Sequence, residues 1–202
     1  MQPFVHLHVH SQYSVLDGQA SVKALVDKAI ANGMRGIALT DHGNMFGIKE
    51  LTDYVNKKNK DVDGEIKNLK KTIEELKSAD AVDQEALSKA ETALKEAESK
   101  IFTPIIGCEM YVADNDMTDR SNKKDIGRHL IVLAKNQHGY HNLIKLVSNA
   151  WTDGYYYHPR TDKKQLEKYH EDVMVCSACL GGEVPKLSTA GQIEEAEKSI
   201  LW

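Results

Sequence analysis

His6, His8 and His10 are spaced by two, and on an extended strand that spacing turns three imidazoles to one face while Leu7 and Val9 turn to the other. Imidazole is the commonest metal-ligating side chain, and neighbouring rings on one strand face can chelate a single ion. A polar surface strand has the same spacing, but Leu7 and Val9 alone make a poor core face for one. Asp41 and His42, in Thr40-Asp41-His42-Gly43, directly follow a second apolar run, where parallel α/β folds build their active-site loops. Such a pair also serves as a cap, and its place behind a buried strand weighs against that. Asp17, in the loop after the first strand, projects onto the same rim. Glu109, in Gly107-Cys108-Glu109, lies within a strand pattern, where a carboxylate is costly to bury unless a cation or a metal meets it. His129 opens its strand rather than closing it, so spacing alone reads it as a structural histidine. Cys176-Ser177-Ala178-Cys179 has the form of a redox dithiol or half a zinc knuckle, yet no second pair exists. A single thiolate, Cys179, joining a His/Asp/Glu cluster fits better.

These residues must be positioned by their elements. Phe4–Val9 alternates and reads as a strand, followed by a polar loop over 11–18. Val22, Leu25, Val26, Ala29 and Ile30 fall at helical spacing, with Gly33 where a left-handed glycine ends a helix. Gly36–Thr40 is a buried-type strand, and a helix is expected over Phe46–Lys57. Further strands at Pro104–Val112, Leu130–Ala134 and Val173–Cys176 alternate with helices at His141–Ala150 and Lys163–Tyr169, which argues for a parallel sheet, open or closed into a barrel.

Residues 57–100 are a different kind of sequence, with 10 Lys, 11 Asp or Glu and no aromatic. Ile66, Leu69, Ile73 and Leu76, then Leu87, Ala90, Leu94 and Ala97, recur at three and four, with Ser78–Asp83 between them. The pattern is that of an antiparallel helical hairpin with one thin apolar seam, inserted between 1–56 and 101–202. Over the whole chain, 26 Lys and Arg against 30 Asp and Glu in 202 residues give a net charge of −4, which excludes a basic nucleic-acid arm. No apolar run approaches the ~20 residues of a membrane span, and three cysteines argue against a secreted disulfide framework, so a cytoplasmic protein without membrane contact is expected. Ile193, Ala196, Ile200 and Leu201 start an amphipathic helix with no stop signal before Trp202, the mark expected of a fragment of something longer.

The strings His8-x-His10-Ser11, Asp17-Gly18, Thr40-Asp41-His42-Gly43-Asn44, Gly107-Cys108-Glu109, His129 before Leu-Ile-Val-Leu-Ala-Lys-Asn, and Cys179-Leu-Gly-Gly-Glu occur in this order. Together they resemble the PHP (polymerase and histidinol phosphatase) domain, in the form carried at the N-terminus of bacterial DNA polymerase III alpha subunits; the resemblance covers 1–56 and 101–202. It implies a distorted seven-stranded β/α barrel, here truncated and carrying the helical hairpin, with up to three zinc or manganese ions at one mouth. It implies His8, His10, Asp17, His42, Glu109, His129 and Cys179 as metal ligands, with Asp17 and Glu109 as catalytic carboxylates, and so reverses the structural reading of His129. The activity it implies is metal-dependent phosphoester hydrolysis, in a polymerase the 3′–5′ exonuclease proofreading of a primer end. The implied partners are the rest of the polymerase chain, DNA, a proofreading subunit and a sliding clamp. Two departures stand out: the hairpin is an addition, and the family's closing Asp-x-His pair falls outside these residues. A bracing module that docks a proofreading subunit, and a histidinol-phosphate-type phosphatase, are the competing readings. Neither Asp61-Val-Asp63 nor Asp114-Asn-Asp116 has the context of a polymerase palm.

Overall fold

The computed structural model describes residues 4–78 and 83–202. Among them, six strands and seven helices follow one another as α1 (Val22–Ala31), β1 (Gly36–Leu39), α2 (Ile48–Ser78), α3 (Gln84–Lys100), β2 (Thr103–Val112), β3 (Arg128–Ala134), α4 (Gln137–Thr152), β4 (Tyr155–Tyr156), β5 (His158–Thr161), α5 (Lys163–Lys168), β6 (Val173–Cys176), α6 (Glu183–Thr189) and α7 (Ile193–Leu201). The sheet is mixed, which corrects the expected parallel one. β2 is its spine: β1 and β5 run parallel to it, and β3 antiparallel on the opposite edge, with β6 antiparallel to β3.

Period two along β2 decides what each face does. Cys108, Met110 and Val112 turn to one side and pack with Val132 against Leu143, Leu146 and Ala150 of α4 and Leu166 of α5. Glu109 and Tyr111 turn to the other, where Glu109 faces Ile131 and Tyr111 faces His129 across the ladder. A second core lies between α1, β1 and the start of α2, built from Val22, Val26, Ala29, Ile37, Leu39, Ile48, Leu51, Val55 and Phe102. α1 is capped as its sequence directs, Ser21 accepting from the Ala24 N–H and Gly33 taking φ +72°.

Two local expectations are corrected, and one element goes unforeseen. Phe4–Val9 is not a ladder strand: among the described residues its backbone-to-backbone bonds to β1 and the residue after it are Ala38 N–H to His6 O and Thr40 N–H to Val9 O. Carbonyls three apart cannot both face one neighbour in regular period two, so the segment bends at Leu7 and His8. The short hairpin β4–β5 escapes the sequence because β4 has two residues and β5 carries Pro159, a residue depleted in strands. The expected helix over Phe46–Lys57 does not stop there; α2 runs unbroken through Lys57 to Ser78.

α2 and α3 pack along the expected seam, in which Ile73 and Ala97 are buried. Ion pairs cross it at Lys70–Glu98 (3.3 Å) and Lys77–Glu91 (2.9 Å). The turn expected within Ser78–Asp83 falls largely outside the described residues. At the root of the pair, the buried Asn59 side chain donates to Phe102 O (2.8 Å) and accepts from Phe102 N–H (3.1 Å). Opposite, Arg160 is fully buried and donates to the carbonyls of Met117, Asp119 and Asp125, pinning the loop over 113–127. No helix among the described residues is long and apolar enough to cross a membrane.

Candidate metal centre

The backbone ladder brings the chemistry together before any side chain does. Beyond β1, Glu109 N–H donates to Asp41 O and Gly43 N–H to Glu109 O, so His42 pairs alongside Glu109 on one edge of β2. Gly43 takes φ +60° in a spot where a side chain would run into Pro159, letting this loop lie close against β5. On the other edge β3 runs antiparallel, so its first residues lie at the level of the last residues of β2, and His129 stands opposite Tyr111. The chain leaves β6 at the same rim, and the next loop carries Cys179 to within 3.4 Å of His129 Nδ1.

Four imidazoles surround one carboxylate. Glu109 is fully buried; its Oε2 lies 2.6 Å from His8 Nε2 and 3.6 Å from His10 Nε2, while its Oε1 lies 2.6 Å from His42 Nδ1 and 3.0 Å from His129 Nδ1. Asp17, 60% exposed at the rim, sits 3.0 Å from His42 Nε2. All seven residues named from the sequence are therefore assembled. His6 is not: the bend in its segment sends it outward against Phe4.

The approach of these nitrogens is close but not along hydrogen-bond directions: both Glu109 oxygens and His42 Nδ1 are buried without a hydrogen-bond partner. Buried polar atoms are ordinarily satisfied, and a cage of inward-aimed lone pairs is what a cation satisfies. Two sets of donors lie within 4.8 Å of one another, His8 with His10 and Glu109, and Glu109 with His129 and Cys179, and they share the one carboxylate. Nitrogen, oxygen and thiolate donors of this kind suit zinc and related divalent ions. In the metal-free protein, burial would raise the Glu109 pKa, but the imidazoles of His10, His129 and His42 outweigh it and hold the carboxyl far below its usual range. His42 is pushed up to about 9 by Glu109, against the opposing pull of burial and with help from Asp17. His8 moves the other way, lowered chiefly by burial.

Asp41 proves to be a support and not a member of the cluster. It is buried and accepts from the N–H of Ser11 (2.7 Å), the hydroxyl of Ser11 (2.8 Å) and the hydroxyl of Ser14 (2.8 Å). Because Ser14 gives its proton to Asp41, it accepts from His10 Nδ1 at 3.0 Å and from His42 N–H at 3.2 Å. That places the His10 proton on Nδ1 and leaves the Nε2 lone pair facing His8 and Glu109, free to meet a cation. Sequence reasoning missed Ser11, Ser14 and Tyr111. The sign for Tyr111 was available, since it lies two residues beyond Glu109 on the same strand face; its ring stands 5.2 Å from His129, and burial lifts its hydroxyl to about 12. Of the acidic pairs, Asp114 binds Arg128 and Asp116 caps Thr118, while Asp61 and Asp63 lie exposed on α2.

The chain is 40% identical to the DNA polymerase III subunit alpha of Borreliella burgdorferi over 204 residues, 98% of this chain and 14% of that protein. It is 40% identical to the subunit of the same name from Treponema pallidum, over 96% of this chain and 13% of the relative, and 34% identical to that of Deinococcus radiodurans, over 98% and 12%. The chain thus spans about one seventh of the length of these relatives or less. The PHP domain family matches residues 6–202, a stretch that contains every residue of the cluster. A match running from the first histidine segment through the last helix leaves one assignment: the chain belongs to the PHP domain family.

Proposed function

We propose that the cluster is a metal-dependent phosphoesterase site acting on phosphodiesters, and that within a complete polymerase chain it removes nucleotides from a 3′ end. The observation that carries this reading is Glu109, buried with both oxygens lacking hydrogen-bond partners while four imidazoles crowd them. His8, His10, Asp17, His42, Glu109, His129 and Cys179 would hold zinc or manganese, up to three ions in a complete site. Divalent ions supply a nucleophilic water of lowered pKa and neutralise charge that builds on phosphate oxygens. Glu109 presents one oxygen to His8 and His10 and the other to His42 and His129, so it keeps two donor sets at a fixed separation. Asp41 and Ser14 hold the His10 proton away from the cluster. Asp17, reaching solvent at the rim and paired with His42, orients the attacking water.

The seven-stranded barrel of the family belongs to the same proposal: β6 pairs only with β3 among the described strands, leaving an edge that a further strand would cover. So do the division at 57 and 100, the cytoplasm as the site of action, and DNA, the rest of a polymerase chain, a proofreading subunit and a sliding clamp as partners. The test is metal analysis after reconstitution with manganese or zinc, together with shortening of a 3′-labelled single strand. At least two ions per chain and a manganese-dependent shortening are expected. Glu109→Gln should release an ion and slow hydrolysis by more than about a hundredfold, with Asp17→Asn milder because it sits on one side of the cluster. A metal-loaded protein that never shortens the strand would leave bracing as the role of the domain.

A further inference from the structure

We propose that the β4–β5 hairpin, with Trp151 beside it, is a stacking platform for the bases at the 3′ end of a single DNA strand whose terminal phosphodiester lies in the imidazole–carboxylate cluster. The choice of strand rests on the phosphoesterase reading above; the platform itself rests on separate observations. Trp151, Tyr155, Tyr156 and Tyr157 fall within seven residues of a chain with 2 Trp, 8 Tyr and 3 Phe in all. Two contacts tie this group to the cluster. His158 stacks on Tyr111 at 4.4 Å, and Tyr111 stands against His129; Trp151 Nε1 donates to Gly43 O at 2.7 Å, next to His42.

Three of the four rings are nonetheless turned outward, while Tyr156 lies against Arg160. Trp151 is 45% exposed, Tyr155 48% and Tyr157 70%, and Trp151 and Tyr155 stack on each other at 5.6 Å. Tyr157 alone makes the turn between β4 and β5 at φ +59°, a conformation that glycine or asparagine adopts far more cheaply. A fold that places a tyrosine there keeps a large ring in water at some cost in backbone energy, and such cost gathers at ligand sites. Stacking also answers the charge problem. At a net charge of −4 the chain has no general attraction for a phosphate backbone, whereas base–aromatic stacking is independent of charge and tolerant of sequence, as removal of any mispaired end requires.

The experiment uses this chain in manganese with a DNA strand bearing 2-aminopurine at its 3′ end and a phosphorothioate in the terminal linkage to slow cleavage. A second strand is abasic at its last two positions. Tyr157→Gly removes the ring while suiting its backbone angle, so the variant keeps its fold; Tyr155→Ala tests the neighbouring ring. The parent should quench 2-aminopurine and bind the normal strand about tenfold tighter than the abasic one, and Tyr157→Gly should lose that preference while binding the abasic strand as the parent does. Equal affinity of Tyr157→Gly and parent for the normal strand would overturn the platform and make a protein the better occupant. So would equal weakening toward both strands, which marks a structural effect. Failure of the phosphoesterase reading shows separately, as a parent that prefers the normal strand but leaves an unmodified one uncut.

Discussion

The cluster on β2 and the arm formed by α2 and α3 are both crowded with charged side chains, and physically they are opposites. On the arm, Lys70–Glu98 and Lys77–Glu91 have side chains roughly half exposed, and each partner could be solvated by water alone. Such pairs contribute about 0–1 kcal/mol and place no demand on their surroundings. At the cluster, Glu109 has been taken out of water, and every element around it is bent to that fact: the loop at 41–43, the antiparallel β3, the turn carrying Cys179. Density of charge is therefore a poor guide to function. Desolvation of charge is a good one, because it is maintained only where something offsets it.

The contrast can be broken most sharply at Asp41, which touches none of the rings. If the cluster is held from outside, Asp41→Asn should lower the affinity for manganese by about ten- to hundredfold and destabilise the fold by about 2–3 kcal/mol, since three hydrogen bonds to a buried carboxylate are weakened at once. Calorimetric titration with metal and thermal unfolding read the two effects, and an unchanged metal affinity would reduce Asp41 to a loop anchor.

A second effect, of intermediate size, separates the regions by pH. His42 has a pKa raised from 6.5 to about 9, so its contribution to metal-free stability is complete below about 6.5 and is lost as pH rises through about 9. His8, lowered by burial, favours the neutral form and withdraws stability as pH falls below 6.5, and Glu109 gives stability above its ordinary 4.5 that is lost on acidification. In chelator the melting temperature should therefore decline between pH 7 and 9.5. In manganese it should not, because loading displaces the His42 proton and ion affinity rises over the same interval. Parallel melting curves in the two media would show that the cage is not filled by ions.

How much was legible beforehand follows the same divide. The arm was readable because a helix declares itself in periods of three and four, and the seam at Ile73 and Ala97 lies where the sequence puts it. The cluster was readable in its residue types but not in its geometry. His129 looked structural on the assumption of a parallel sheet, in which a strand's first residue lies far from the active rim; strand direction is set by pairing across the sheet and leaves no local mark. The one-face reading of His6, His8 and His10 failed for a related reason, since the bend at Leu7 and His8 comes from the hydrogen bonds of His6 and Val9 to β1. The sequence left Asp41 open between a cap and the chemistry, and the hydroxyls of Ser11 and Ser14 are what put it in the support.

The smallest expected effect lies on the arm. Replacing residues 63–97 by a short Gly/Ser linker should leave metal content unchanged and shift stability by less than about 1 kcal/mol. Cutting the full 57–100 instead removes Asn59 and strands the buried Phe102 amide and carbonyl, at a cost of about 1–3 kcal/mol. Equal melting temperatures for the two deletions would show that the Asn59 contact is idle.

That contact also bears on how quickly the domain can assemble. β1 must find β2 across the whole arm, and closing a disordered loop whose ends are 43 positions apart, as Asn59 and Phe102 are, costs about 2 kcal/mol more in chain entropy than closing a turn of four. Helices form within microseconds from neighbours in sequence, so two of them folding back on each other shorten the search before the strands meet. With Asn59 clasping Phe102 at the root, the chain encounters the β1–β2 pairing as though it were joined by a tight connection, and an insertion of any length that zips itself closed in this way is nearly invisible to the kinetics of the sheet.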